Sequence, residues 1–255
     1  MTTLQKTLRW KEMIALFVGV PLLILRFPGL LGGPRLFGFL WIMGVICGVA
    51  LFFDKKFDRK KLWNAKAVMP AMGWMVGRWI LFAAVLTGLF GLFSGRLLPG
   101  LSMAVPTGYW RVFMFEPTED YVEWADAQIV YADWLPDLLI GAYPFILPTM
   151  IFVFYPWVSV YPQNLIYRAF FCQRYRPILG GGWGLILINA GVFSLGHIMF
   201  NNWIVLLLTF VGGIIFTRTY LKSRSLLLAT IEHAMYGLFC FYLGIGVFLL
   251  YGASG

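Results

Sequence analysis

The chain has 255 residues, of which 60% are hydrophobic and only 12% are charged, and its mean hydropathy is +0.80. A soluble domain carries about 25% charged residues and a disordered chain is poor in apolar residues, so both classes are excluded. The net charge of +9 does not indicate nucleic-acid binding, because the basic residues flank apolar runs. The composition predicts an all-α, polytopic membrane protein.

The apolar runs predict a bundle of about seven to eight membrane helices, since a helix needs about 20 residues to cross a bilayer. In chain order the predicted spans are roughly 12–32, 36–53, 70–94, 138–160, 183–200, 203–217 and 225–252, with a further helix near 160–175. The pair Asn201 and Asn202 marks the predicted turn between the two spans on either side of it. The first run follows Lys6 and Arg9 and has no small-x-small cleavage site after it, so we expect it to be an uncleaved span.

The distribution of charge predicts the orientation of the helices. Residues 1–66 carry 11 basic and 3 acidic side chains, whereas residues 101–137 carry 1 basic and 7 acidic ones. Basic loops favour the cytoplasmic side, so we expect a cytoplasmic N-terminus and an acidic segment on the opposite side. Placing Arg174 and Arg224 on the cytoplasmic side as well requires the helix near 160–175 to enter the membrane and return, or to lie along the interface.

Ionisable and amide groups at membrane depth are costly and usually functional. The first set of such groups follows Pro162, which suits the first turn of a helix. Gln163 and Tyr167 are four residues apart, as are Asn164 and Arg168, so the two pairs lie on adjoining helix faces. The alternative interpretation is an amide pair that packs helices together and an arginine that reaches the interface.

Two further sets lie in the apolar runs that follow. Phe193, His197 and Asn201 fall on one helical stripe. Glu232 is the only acidic residue in the last third of the chain, and it adjoins His233. A buried carboxylate of this kind can serve as a general base near neutral pH. The alternatives are an interhelical hydrogen bond from His197 and a buried structural pair of Glu232 and His233.

These three sets, in this order, resemble the motifs of the CPBP family of intramembrane proteases, which includes CAAX prenyl endopeptidases and bacteriocin-processing, Abi-type enzymes. The family pattern is Glu-Glu-x-x-x-Arg, then Phe-x-x-x-His, then His-x-x-x-Asn, on separate membrane helices. The corresponding segments are Gln163-Asn164-x-x-x-Arg168, Phe193-x-x-x-His197 and His233-x-x-x-Gly237. The chain is thus expected to comprise N-terminal helices with the acidic segment (1–137) and a CPBP-like core (138–255) in one integral membrane unit.

The chain departs from the family pattern at three positions. Gln163 and Asn164 replace the two glutamates that the family is thought to use to activate water, and an amide does not accept a proton at neutral pH. Gly237 replaces the asparagine that is thought to stabilise the oxyanion. Some bacterial members carry Gln-Glu in the first motif and Glu-His-x-x-x-Gly in the last. Compared with that variant, the chain departs from the pattern only at Asn164. This departure is either a natural loss or an engineered inactivating change.

The resemblance implies an intramembrane endopeptidase that cleaves membrane-associated or lipid-modified peptides and is impaired by Asn164. Glu232 is then the remaining candidate base, and His197 and His233 would orient water or stabilise the oxyanion. Arg168 would orient its neighbours or hold a substrate carboxylate. The residues expected around these catalytic groups, to bind substrate or support them, are Gln163, Tyr167, Asn201 and Gly237.

No cofactor is expected. Zinc held by His197, His233 and Glu232 is the alternative, although the sequence has no HExxH spacing. The expected partners are the bilayer and a membrane peptide or lipidated protein, without nucleic acid, in the cytoplasmic (inner) membrane of a bacterium. The competing functions are a non-catalytic scaffold or immunity protein that binds membrane peptides, and a small transporter. The transporter ranks lowest because no matching halves are visible.

Overall fold

In this computed structural model the described residues are 1–27, 34–93, 149 and 151–242. Every regular element among them is helical, and this part of the chain has no strand, which confirms the all-α prediction. The acidic segment 101–137 and the end of the last predicted span lie outside the described residues.

The helices follow one another along the chain with short connections. The first run comprises α1 and α2, which are joined by a π-helical turn, and a second run, 151–179, contains α5 and α6. The bounds are α1 Thr3–Ile14, α2 Val20–Arg26, α3 Pro34–Phe53, α4 Val68–Phe93, α5 Tyr161–Asn164, α6 Phe171–Leu179, α7 Trp183–Leu195, α8 Trp203–Ser223 and α9 Leu226–Tyr242.

Four helices among the described residues are long and apolar enough to cross a membrane. They correspond to four of the predicted spans, and α9 is a shorter apolar helix. The outward faces of α3 and α4 are hydrophobic, as Phe53 (75% exposed) and Met69 (78% exposed) illustrate, which suits contact with lipid. The four membrane-length helices are Arg35–Phe53, Ala65–Leu89, Trp183–Phe200 and Trp203–Ser223.

The helix predicted near 160–175 is not a separate element. It is the continuation of one uninterrupted helical run, 151–179, which contains two π-helical stretches, Pro156–Val160 and Leu165–Phe170. The first stretch directly precedes Pro162, which has no N–H to donate, and a local π adjustment is one way in which a membrane helix accommodates proline. Neither alternative, that this segment enters the membrane and returns or that it lies along the interface, is therefore needed to bring Arg174 near the other basic groups.

The end of this run contacts the N-terminal helices. Arg174 donates to both carboxylate oxygens of Glu12 in α1, at 2.9 and 2.6 Å, and the Tyr175 hydroxyl donates to Glu12 at 3.0 Å. Gln173 donates to Asp54, just after α3, at 2.9 Å. Arg174 therefore lies at the end of one long helix, close to the N-terminal helix and to the loop that follows α3.

The last basic cluster lies at the same end. Arg224, between α8 and α9, is 3.6 Å from Asp58, and the Ser225 hydroxyl donates to the backbone carbonyl of Asn64 at 3.0 Å. Both partners belong to the basic loop 54–66. The contacts thus bring together the basic groups that the charge pattern places on one side of the membrane.

The predicted turn between α7 and α8 is confirmed. Asn201 adopts a left-handed conformation with φ 45°, which asparagine tolerates better than most residues. Asn202 is the N-cap of α8, and its side-chain oxygen accepts from the backbone N–H groups of Ile204 at 2.8 Å and Val205 at 3.3 Å. These two asparagines therefore end one helix and begin the next.

Helices α7 and α8 approach closely at Gly213. A Cβ atom built on Gly213 lies 2.7 Å from the Cα and 3.0 Å from the Cβ of Ala190. Only a residue without a side chain allows these backbones to meet at this distance, as is common between membrane helices. This contact fixes the position of the helix that ends beside His197.

We expect Gly213→Ala to lower the free energy of unfolding by about 1–3 kcal/mol, because the added methyl group overpacks against backbone atoms. Gly77→Ala in α4 is the matched control, since nothing lies within 4 Å of a Cβ at that position. Its effect should stay within about 1 kcal/mol and favour the folded state. Denaturant unfolding in detergent measures both values, and equal stabilities would contradict the close contact of α7 and α8.

Candidate active site

A cavity of about 340 Å³ lies between α2, α3, the run 151–179 and the last three helices. Its walls are mostly apolar and aromatic, and a few polar or small residues interrupt them. Such a cavity, with few polar groups in an apolar wall, is typical of a ligand or active site. The residues that interrupt the apolar wall include Tyr155, Gln163, Tyr167, His197, His233 and Gly237.

His197 lies just beyond the end of α7. Its Nδ1 is 2.8 Å from the carbonyl oxygen of Phe193, and a carbonyl only accepts, so we assign the proton to Nδ1. Nε2 of the neutral ring then carries the free lone pair. A Cβ at the preceding residue, Gly196, would lie 2.4 Å from the Tyr167 hydroxyl oxygen, so this glycine admits that hydroxyl beside His197.

His233 lies on the same cavity wall, in α9. Its ring stacks on Phe216 with 4.4 Å between centroids and an interplanar angle of 15°. Phe193 contacts both histidines, with centroid distances of 5.5 Å to His233 and 4.8 Å to His197. Among the described residues His233 Nδ1 has no hydrogen-bond partner. Both imidazoles therefore contact the same aromatic ring, that of Phe193.

Arg168 is completely buried behind this aromatic wall and is not among the cavity-lining residues. Its Nη1 donates to Asn189 Oδ1 at 2.5 Å, and its guanidinium lies 4.3 Å from the ring centroid of Phe193 and 5.8 Å from that of Phe216. Thr217 donates to the same Asn189 oxygen at 2.6 Å. Arg168 thus supports Phe193, which contacts both histidines, and Phe216, which contacts His233.

The two amides of the first motif face different neighbours. Gln163 lines the cavity and donates to the Ser159 hydroxyl at 2.9 Å. Asn164 is completely buried, and its Nδ2 donates to the Thr230 hydroxyl of α9 at 3.3 Å. Within the described part of the chain Asn164 Oδ1 has no partner. Asn164 therefore joins two helices and does not line the cavity.

Glu232 points away from the cavity, although it adjoins His233. Consecutive residues of a helix are about 100° apart around its axis, and Glu232 faces α4. One carboxylate oxygen accepts from Arg78 Nη2 and the other from the Thr219 hydroxyl, each at 2.5 Å. Of the four groups to which the resemblance assigns a role in the site, the structure brings His197 and His233 together in the cavity and places Arg168 and Glu232 behind its walls.

Asn201 does not continue the predicted stripe with Phe193 and His197. α7 ends at Leu195, and Asn201 is exposed in the turn that follows. The zinc alternative needs His197, His233 and Glu232 together, and the described residues contain no group of three or more His, Cys, Asp or Glu side chains placed to hold a metal ion.

Three residues at the site were missed by the sequence reasoning. Asn189, two helical turns before His197, accepts from Arg168 and donates to the Tyr167 carbonyl at 2.5 Å. Arg78 is a lone basic residue in an apolar helix, which is itself a signal of function or of a buried partner. Tyr155 belongs to no motif, and only the structure reveals its place beside Gly237.

Comparison with known proteins gives one match. The family model for type II CAAX prenyl endopeptidase Rce1-like proteins matches residues 144–239, which include all three motifs. No curated protein and no solved structure matches the chain significantly. The resemblance read from the motifs is thereby confirmed: over residues 144–239 the chain is similar to the CPBP family of membrane proteases.

Proposed function

We propose that the chain is an intramembrane endopeptidase that binds the scissile peptide bond in the cavity, against the wall that carries His197 and His233. The family similarity supports a membrane protease-type function. The observation that carries the proposal is the pair of imidazoles packed against Phe193 on one wall of a largely apolar cavity. Apolar walls suit a membrane-associated or lipid-modified peptide, which is the proposed substrate class.

His197 is the proposed general base. Its Nε2 takes a proton from a water molecule, whose oxygen bonds to the carbonyl carbon while the π electrons move to the carbonyl oxygen. The tetrahedral intermediate then breaks its C–N bond, and the proton passes from the imidazolium to the leaving amine. His233 orients the water or stabilises the oxyanion, and Gln163 and Tyr167 offer hydrogen bonds to the substrate backbone.

Arg168 and Glu232 are proposed to position these groups. Arg168 packs on Phe193, so it holds in place the ring that contacts both imidazoles. Glu232 is bound by Arg78 and Thr219, so it holds α9, and therefore His233, against α4 and α8. Because neither carboxylate of the family's first motif is present, we also propose that the chain hydrolyses its substrate more slowly than a member with a glutamate at this position.

The second candidate function is a non-catalytic scaffold or immunity protein that binds membrane peptides in the same cavity. This function is favoured because no carboxylate lies among the cavity-lining residues of the described chain. Position 164 carries an amide, and Glu232 is bound by Arg78 outside the cavity. Under both proposals the N-terminus is cytoplasmic, because the basic clusters gather at one end of the bundle. The bacterial cytoplasmic membrane is proposed from the resemblance to bacterial members of the family.

Replacing His197 by glutamine should lower the rate of peptide cleavage at least about 100-fold, since glutamine does not accept the proton. A quenched fluorescent membrane peptide in proteoliposomes, with product masses checked by mass spectrometry, measures the rate. Asn201→Gly is the control, because glycine keeps the left-handed conformation of the exposed turn, and its rate should equal that of the parent. Undiminished cleavage by His197→Gln would contradict the base assignment.

We expect Asn164→Glu to accelerate cleavage at least about tenfold, because glutamate is one methylene longer than the buried asparagine and can bring a proton acceptor to the cavity that Asn164 does not line. Asn164→Gln is the matched control, since glutamine has the length of glutamate without its charge. The same fluorescent peptide gives both rates. If neither variant nor the parent cleaves the peptide but all three bind it, the scaffold function is supported instead.

The ion pair of Glu232 is tested by a double-mutant cycle. Arg78→Met alone should destabilise the fold by about 3–5 kcal/mol, because it leaves a buried carboxylate unpaired, and the double variant Arg78→Met/Glu232→Gln should recover most of that loss. Thermal unfolding in detergent measures stability. If Glu232 positions α9, the folded double variant retains cleavage; if Glu232 is the base, cleavage stays lost although folding is restored.

A further inference from the structure

Tyr155 reaches the cavity from the helical run 151–179, one residue before a π-helical stretch. Its ring packs edge-on against Phe241 of α9, with 5.1 Å between centroids and an interplanar angle of 81°. A Cβ atom at Gly237 would lie 2.1 Å from the Tyr155 hydroxyl oxygen and 2.7 Å from Cζ. The hydroxyl therefore occupies the space that any side chain at position 237 would need.

This position places the hydroxyl close to His233. Residues four apart on a helix have Cβ atoms about 5–6 Å from each other on the same face, so Gly237 and the hydroxyl packed on it lie one turn from His233. Tyr167 has the same relation to Gly196, which immediately precedes His197. Both tyrosines line the cavity together with the two histidines, and each hydroxyl is admitted by a glycine.

The Tyr155 hydroxyl is available as a donor. No hydrogen bond engages it within the part of the chain that the structure describes, and a phenol donates through O–H. The backbone N–H groups in the interior of α9 are already bonded within the helix. A substrate carbonyl lying on this wall therefore finds its donor in a side chain and not in the backbone.

Building on the proposed function, we propose that Tyr155 is a further catalytic residue, which donates a hydrogen bond to the oxygen of the scissile carbonyl. When water attacks the carbonyl carbon, the π electrons move to that oxygen, and the O–H of Tyr155 stabilises the resulting negative charge. After the C–N bond breaks, the carbonyl re-forms and the hydrogen bond weakens again; the tyrosine keeps its proton throughout. A donor fixed in an apolar wall contributes most to catalysis when it meets charge that develops only in the transition state.

The first test is Tyr155→Phe, which removes the hydroxyl and keeps the ring that packs on Phe241. We expect kcat to fall about 100-fold with KM unchanged, as for the loss of one oxyanion donor. The control is Tyr161→Phe in the same run, since Tyr161 stacks on Trp63 (5.7 Å between centroids) and does not line the cavity. An unchanged kcat in Tyr155→Phe overturns the inference.

A rescue experiment distinguishes a donor from a packing residue. Gly237→Asn alone should reduce cleavage, because its side chain overlaps the tyrosine hydroxyl. Tyr155→Ala opens that space, and the double variant Tyr155→Ala/Gly237→Asn places an amide donor there. We expect the double variant to be at least about tenfold faster than Tyr155→Ala. Equal rates of these two variants speak against a donor at this position.

Binding to a transition-state analogue separates this inference from the proposed function. A phosphinate peptide carries a tetrahedral anion in place of the scissile bond, and a peptide of the same sequence with an N-methylated bond does not. In nanodiscs, Tyr155→Phe should weaken phosphinate binding at least about tenfold and leave the N-methylated peptide unaffected. If the parent does not cleave the peptide but Tyr155→Phe still weakens phosphinate binding alone, the proposed function fails and the donor role of Tyr155 stands. If the parent cleaves the peptide and Tyr155→Phe binds both peptides as tightly as the parent does, only the donor role fails.

Discussion

The arrangement of the cavity depends on keeping the guanidinium of Arg168 buried inside an apolar helical bundle. An isolated charge there is costly, and it is tolerated when neighbouring groups surround it. Asn189 accepts one hydrogen bond at 2.5 Å, and the faces of Phe193 and Phe216 lie within reach of cation–π attraction. Because the same two rings contact His197 and His233, the residues that stabilise the cation also fix the imidazoles.

The polar residues of the last helices divide into two groups according to what they face. Those behind the wall bond to one another between helices, as in the contacts of Glu232 with Arg78 and Thr219, although Asn164 Oδ1 has no partner among the described residues. Those on the cavity side, above all the two histidines, make few hydrogen bonds within the protein. Because the histidines line the cavity, a substrate or water can supply their remaining partners, and this access distinguishes them from the polar groups behind the wall.

The helical class and the family resemblance followed from the sequence, because apolar runs and spaced polar residues are local features. The turn at Asn201 and Asn202 was predictable for the same reason. The position of Glu232 was not, since adjacency to His233 in the sequence says nothing about which helix a side chain faces; its partner, Arg78, is 154 residues away. The sequence did not predict the continuous run 151–179, because a proline such as Pro162 is typical of the first turn of a helix. The π-helical stretch that allows the helix to continue through it has no recognised sequence pattern here.

The glycine at position 237 has a different meaning in the sequence and in the structure. The motif alone indicates that an asparagine side chain is missing at position 237, so that the site has one hydrogen-bond donor fewer. In the structure the same glycine makes room for the ring of Tyr155, whose hydroxyl reaches the place that the missing side chain would occupy. A donor is therefore contributed by another helix, and the two positions constrain each other: asparagine at 237 needs a smaller residue at 155, and tyrosine at 155 needs glycine at 237. A motif that covers one helix cannot show that another helix replaces the missing donor, because the replacing residue, Tyr155, lies 82 positions earlier in the chain.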